Sequence, residues 1–182
     1  MKKALVFWPL LLVLVLADCG SKRLVEDAVP PHTPHEVLGD VVRVTLGYNP
    51  GAAFGLNVGP NSRVVFTTLT FIALIALGLM YRSTPPERRL ELVALALISG
   101  GAVGNLIDRI RAGMVTDWID VGVGNVRFWT FNIADAGITA GAVLLAVALL
   151  QEAWVRESDE PGRPEGAASQ VGGRPEERDD GQ

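Results

Sequence analysis

Cysteine and histidine are almost missing from this chain: Cys19, His32 and His35 are the whole complement among 182 residues. A single cysteine excludes an internal disulfide framework, and so few Cys/His ligands leave no zinc-site pattern. An excess of basic charge is missing too. Residues 1–155 carry 12 Lys/Arg and 12 Asp/Glu, whereas residues 156–182 carry 4 and 8, so the net charge of −4 lies in the tail. A neutral body offers no basic face to nucleic acid. Charge of either sign is absent from four long stretches, Ala4–Ala17, Val64–Tyr81, Leu92–Ile107 and Ala136–Gln151. A body this apolar is not disordered, and four such runs would overfill the core of a soluble domain of this size. An integral membrane protein is what remains.

Crossing about 30 Å of hydrocarbon takes about 20 helical residues. Each run must therefore draw flanking polar residues to membrane depth, which gives spans at about 4–20, 64–81, 91–108 and 134–153. The expected fold class is membrane all-α: four transmembrane helices with a small β-rich extracytoplasmic subdomain from the first outer loop. Lys2, Lys3, Arg82, Arg88, Arg89 and Arg156 fall on one side of a four-span chain. By the positive-inside rule that side, with both termini, is cytoplasmic. Lys2-Lys3 before an apolar run also describes a secretory signal, and Leu16-Ala17-Asp18-Cys19 looks like a lipoprotein cleavage box. Asp18 stands where such a box needs a small uncharged residue, which favours an uncleaved first helix.

In the outer loop, Val42, Val44, Leu46 and Tyr48 alternate with Arg43, Thr45 and Gly47, the pattern of a half-buried strand. Pro30-Pro31-His32-Thr33-Pro34-His35 is a turn-rich connector, and its His-x-x-His spacing has no helix to make it a metal site. Between spans three and four, Val121–Val126 reads as a strand with a Gly-Asn turn, running on to Phe128, Trp129 and Phe131 at the membrane–water boundary. Ala96, Gly100 and Gly104 form a small-residue stripe for close helix packing. Residues 156–182 carry charge without apolar periodicity and read as a disordered acidic cytoplasmic tail.

Ionisable groups at membrane depth are functional candidates by default. Asp18, Asp108 and Asp135 fall at the outer ends of spans one, three and four, and Asp117 and Asp120 lie on the segment between spans three and four. Asn105/Asp108 and Asn132/Asp135 are each three apart, so each N-x-x-D sets an amide and a carboxylate on one helical face, which Thr139 extends. No histidine lies in this layer to build a Ser/His/Asp triad, and adjacent Ser21 and Lys22 point apart. Three readings stand on residue types alone. One is a carboxylate dyad that shares a proton and activates water. Another is a carboxylate-lined ion or proton path in a non-enzymatic carrier, and the last is structural pairing with Arg109 and Arg111. Spacing favours Asp108 with Asp135 as the dyad.

Five segments, present in order, make the chain recognisable: Asp18-Cys19-Gly20-Ser21-Lys22, Tyr48-Asn49-Pro50-Gly51-Ala52-Ala53-Phe54, Gly100 to Arg109, Val115-Thr116-Asp117-Trp118-Ile119, and Phe131-Asn132-Ile133-Ala134-Asp135. Over residues 1–155 the chain resembles the lipoprotein signal peptidases (signal peptidase II), four-helix aspartyl proteases of the bacterial inner membrane. The resemblance implies cleavage of diacylglyceryl-modified prolipoproteins on the amino side of the lipidated cysteine. Asp117 and Asp135 match the catalytic aspartates; Asp18, Lys22, Asn49, Gly51, Asn105, Asp108, Arg109, Asn132 and Ala134 match supporting or substrate-binding positions. It implies no metal and no cofactor, an active site at the outer face, and prolipoproteins, membrane lipid and inhibitory cyclic peptides of the globomycin type as partners. The outer loop around Asn49–Phe54 is expected to close over the site, and Asp108 to pair with an arginine. Thr116 and Trp118 depart from the family's usual Val and Phe.

Overall fold

The apolar runs form helices that outlast them. The computed structural model describes residues 2–51 and 59–158. The loop residues Ala52–Phe54 therefore lie outside the described residues, as does the acidic tail from residue 159 onwards. The chain divides into two units, Met1–Ala148 and Leu149–Gln182. Four helices, α1 (Ala4–Ala28), α2 (Ser62–Ser83), α3 (Arg89–Arg111) and α4 (Ile133–Ser158), are each long and apolar enough to cross a membrane.

Helix α1 continues well past its uncharged run because its charges are spaced for it. Asp18 and Lys22 pair one turn apart at 2.7 Å, as do Arg23 and Asp27 at 3.4 Å. Helix α3 is the central one: 67% of its apolar window is buried, against 22% or less in the other three. Its glycines set the approach of its neighbours. A Cβ on Gly100 would meet the Leu11 carbonyl of α1, and one on Gly101 would run into the Ala134 carbonyl of α4. Phe7, Leu77, Leu95 and Ala96, one or two from each of α1, α2 and α3, form the apolar core. Lys3 donates to the carbonyls of Tyr81 and Arg82 at 2.9 Å, closing the exposed C-terminal end of α2 with a cation.

The strands form one antiparallel sheet in the order β1 (His35–Leu38), β2 (Val42–Asn49), β3 (Val115–Val123), β4 (Val126–Arg127). The first outer loop supplies only half of it. Strands β3 and β4 come from the segment between α3 and α4, and β2 pairs with β3 from Val42↔Val121 to Asn49↔Val115. After β4 the chain runs back along β3, where Ile119 and Phe131 exchange backbone hydrogen bonds of 2.7 and 3.1 Å. That return delivers Asn132 to the start of α4.

Candidate active site

Asn132 and Asp135 sit in the first turn of α4, where four backbone N–H groups lack helical partners. Asn132 Oδ1 accepts the Asp135 N–H at 2.9 Å, and Asp135 Oδ2 accepts the Asn132 N–H at 3.3 Å. This is a reciprocal capping box, and it fixes the Asp135 carboxylate at the helix end. The same N-terminus is held by Asp18, whose Oδ1 accepts the Ala134 N–H at 2.9 Å. Ala134 itself is fully buried.

Strand β3 brings Asp117 to this point. The fully buried Asn132 donates through Nδ2 to Asp117 Oδ1 at 2.7 Å, and Asn49 of β2 donates to Asp117 Oδ2 at 3.2 Å. Asn105 of α3 donates to Asp135 Oδ1 at 2.8 Å. Each carboxylate therefore has its rotamer fixed by amide donors. Burial, and after it the negative charge of Asp135, push the Asp117 carboxyl up to about 6, against the opposing hydrogen bonds from Asn49 and Asn132.

Lys22 orients this arrangement from behind. Its Nζ lies 2.7 Å from Asp18 and 2.8 Å from Asp108, and it donates to Asn105 Oδ1 at 3.1 Å. With its carbonyl side taken by a cation, Asn105 must turn its NH₂ toward Asp135. The expected arginine partner of Asp108 is thus corrected to Lys22; a partner on α1, far away in sequence, was invisible to local spacing. Ser21 donates to the Asp18 carbonyl at 2.9 Å and takes no part with Lys22. Arg109 instead reaches the Gly51 carbonyl at 2.9 Å, while Asn49 Oδ1 accepts the Gly51 N–H at 2.9 Å. Those two contacts pin the last described residue before the loop.

Asp117 and Asp135 line one cavity of about 750 Å³, with Asn49, Asn105 and Arg109 at its polar end. The rest of the wall is mostly apolar, including Val115, Phe128, Trp129, Phe131 and Ile138, with Thr130 and Thr139 as its polar members; Thr139 lies where its helical spacing implied. Asp108 is not part of that wall, so the dyad favoured by spacing alone is not the pair that faces the cavity. Asp120 is outside the cavity too, yet buried: it pairs with Arg127 at 2.6 Å and accepts the Thr45 hydroxyl at 3.0 Å. Sequence reasoning missed Glu26, which accepts the Thr116 hydroxyl at 2.7 Å and ties α1 to β3 beside Asp117. It also read Phe128–Phe131 as a boundary belt only, although these aromatics wall the cavity. The capping box was findable, since N-x-x-D directly precedes an apolar run.

Residues 10–151 match the family model for Signal peptidase (SPase) II. The lipoprotein signal peptidase of Moorella thermoacetica is 42% identical over 143 residues, which cover 78% of this chain and 91% of that protein. That of Hydrogenovibrio crunogenus is 37% identical over 153 residues, covering 83% and 87%. A bacterial membrane enzyme solved by the in meso method at 2.3 Å superposes with a TM-score of 0.75 at 30% identity, covering 84% of this chain and 92% of its own. The chain belongs to the signal peptidase II family. Membership makes it a multi-pass membrane protease and sets aside the carrier reading.

Packing around Asp18 makes the chain sensitive at a glycine. A Cβ on Gly104 would come 2.6 Å from Asp18 Oδ2, the oxygen that Lys22 holds. Gly104→Ala is expected to displace that buried carboxylate and cost about 1–3 kcal/mol as overpacking. The check is thermal unfolding in detergent, where Gly78→Ala, with open space around its Cβ, should be neutral or slightly stabilising.

Proposed function

We propose that the chain removes signal peptides from diacylglyceryl-modified prolipoproteins, cutting on the amino side of the lipidated cysteine, with Asp117 and Asp135 as an aspartic dyad. The observation that carries this reading is the shared cavity: two amide-held carboxylates at the polar end of an otherwise apolar chamber. A signal helix and acyl chains enter that chamber sideways from the lipid. The pair shares one proton. The ionised carboxylate takes a proton from water as the hydroxyl adds to the scissile carbonyl carbon, and the protonated one donates to the carbonyl oxygen. As the tetrahedral intermediate collapses, the C–N bond breaks and the cysteine nitrogen leaves with a proton from the dyad. Asp18, Lys22, Asn105, Asp108, Asn132 and the Ala134 N–H hold the two carboxylates in place; Asn49, Gly51 and Arg109 hold the loop base. Cyclic peptides of the globomycin type would inhibit by filling the same chamber.

The test is incubation of the purified chain in detergent with a lipid-modified prolipoprotein. The expected result is release of a peptide that ends on the residue before the lipidated cysteine, read by mass. An intact substrate would overturn the reading.

The placement of basic residues supports a bacterial inner-membrane location with both termini cytoplasmic and the dyad at the outer face. Residues 1–155 form the peptidase domain in this reading, and the boundary with the acidic tail shifts beyond 156, because α4 runs on to Ser158. Reporter fusions after Tyr81 should therefore report the inside and fusions after Asn125 the outside. The same location for both would contradict a four-span arrangement.

A further inference from the structure

Asp117 faces two cavities. Besides the apolar chamber, it lines a smaller one of about 290 Å³, together with His32, Gly47, Tyr48, Asn49, Pro50 and Thr130. Asp117, Asn49 and Thr130 belong to both walls, so the two spaces meet at the carboxylate. Their characters differ. The larger is walled by α3 and α4 residues and aromatics, whereas none of the described residues around the smaller lies on a helix. The smaller is thus built from the outer connector and the sheet, and at this size it suits a short peptide segment.

His32 is the unusual member of that wall. Its φ of 59° lies in the left-handed region, and it is the only non-glycine among the described residues with a positive φ. Two prolines precede it, and its N–H donates to the Leu46 carbonyl of β2 at 2.8 Å, so the strained backbone is held against the sheet. Strain of this kind persists only where surrounding contacts enforce it, and it gathers at ligand sites. No described residue hydrogen-bonds the His32 imidazole or the Tyr48 hydroxyl. Both residues lie at the cavity wall and are exposed, open to an incoming chain.

We infer that this cavity is the subsite for the first mature residues of the substrate, and that His32 selects for a hydrogen-bonding side chain directly after the lipidated cysteine. The inference rests on the cleavage reading above. In that reading the signal helix and acyl chains fill the apolar chamber, and the polypeptide beyond the cysteine must leave toward water past Asp117. The small cavity is the space on that side.

The experiment measures kcat/KM of the full-length protein in detergent on two lipidated substrates that differ only after the cysteine, serine in one and leucine in the other. The wild type should prefer serine. His32→Gly relieves the backbone strain and so folds; it should reduce the serine-to-leucine ratio about ten-fold, the effect of one lost hydrogen bond. His32→Asn tolerates the left-handed backbone and keeps a donor and an acceptor, so it should retain most of that ratio. An unaltered ratio in His32→Gly, an equal fall on both substrates, or no preference in the wild type would overturn the subsite. Failure of the wild type to cleave either substrate would overturn the cleavage reading and the subsite with it.

Discussion

Asp117→Asn is expected to abolish turnover and, at neutral pH, to make the protein more stable. Removing the ionisable group ends acid–base work on water, a loss of about a thousand-fold or more. The stability change follows from the raised carboxyl. Its folded-state value of about 6 exceeds the ordinary 3.8. The folded protein therefore holds that proton more tightly than the unfolded chain, and the stabilisation is fully present below about pH 4 and lost as pH rises through about 6. At pH 7.5 the buried charge costs about 3 kcal/mol relative to its protonated form. Asparagine escapes that cost but turns an N–H toward one of the two amide donors, forfeiting about 1 kcal/mol of hydrogen bonding. Unfolding in detergent should show Asp117→Asn above the wild type by about 2 kcal/mol at pH 7.5 and below it at pH 4. The opposite order at both pH values would remove Asp117 from the dyad environment described.

The second large effect is expected at Lys22. Lys22→Met keeps the stem but strands the carboxylates of Asp18 and Asp108, both otherwise paired with its ammonium. Breaking a buried pair by removing one partner costs about 3–5 kcal/mol, because the remaining charge stays buried. Here two charges remain, so folded yield should collapse. Adding Asp18→Asn and Asp108→Asn neutralises them and should restore the fold. Activity should stay about a hundred-fold down, since Asn105 Oδ1 then keeps only its 3.1 Å bond from Asn132 to turn the amide toward Asp135, and small misplacements at a reacting centre are costly. Recovery of full activity with the fold would show that Lys22 acts on stability alone.

The helices were legible because uncharged runs of this length have few other uses. The continuation of α1 to Ala28 was not, because Asp18, Lys22, Arg23 and Asp27 read as a solvated loop until their one-turn spacing is weighed. Strand β2 announced itself by alternation. Strand β3 did so only at its end, where Val121–Val126 with its Gly-Asn turn forms the β3–β4 hairpin; further up, Thr116, Asp117 and Asp120 are all buried, so the polar groups that carry function and pairing erased the pattern. The layer of carboxylates was readable from the positions of Asp18, Asp108 and Asp135 at the edges of the apolar runs. Which two face each other was not, because that depends on β2–β3 pairing and on Lys22 of α1 reaching Asp108 of α3. There the resemblance to signal peptidase II supplied what local spacing withheld, selecting Asp117 over Asp108.

The proposed dyad is tested most directly by initial rates on a lipid-modified prolipoprotein for Asp108→Asn, Asp117→Asn, Asp135→Asn and the Asp117/Asp135 double variant, each with its thermal midpoint in the same detergent. The account predicts background rates for both dyad variants, a double variant no slower than either because the pair acts as one unit, and a loss of stability in Asp108→Asn. Appreciable turnover by Asp117→Asn, together with an inactive but fully stable Asp108→Asn, would contradict it.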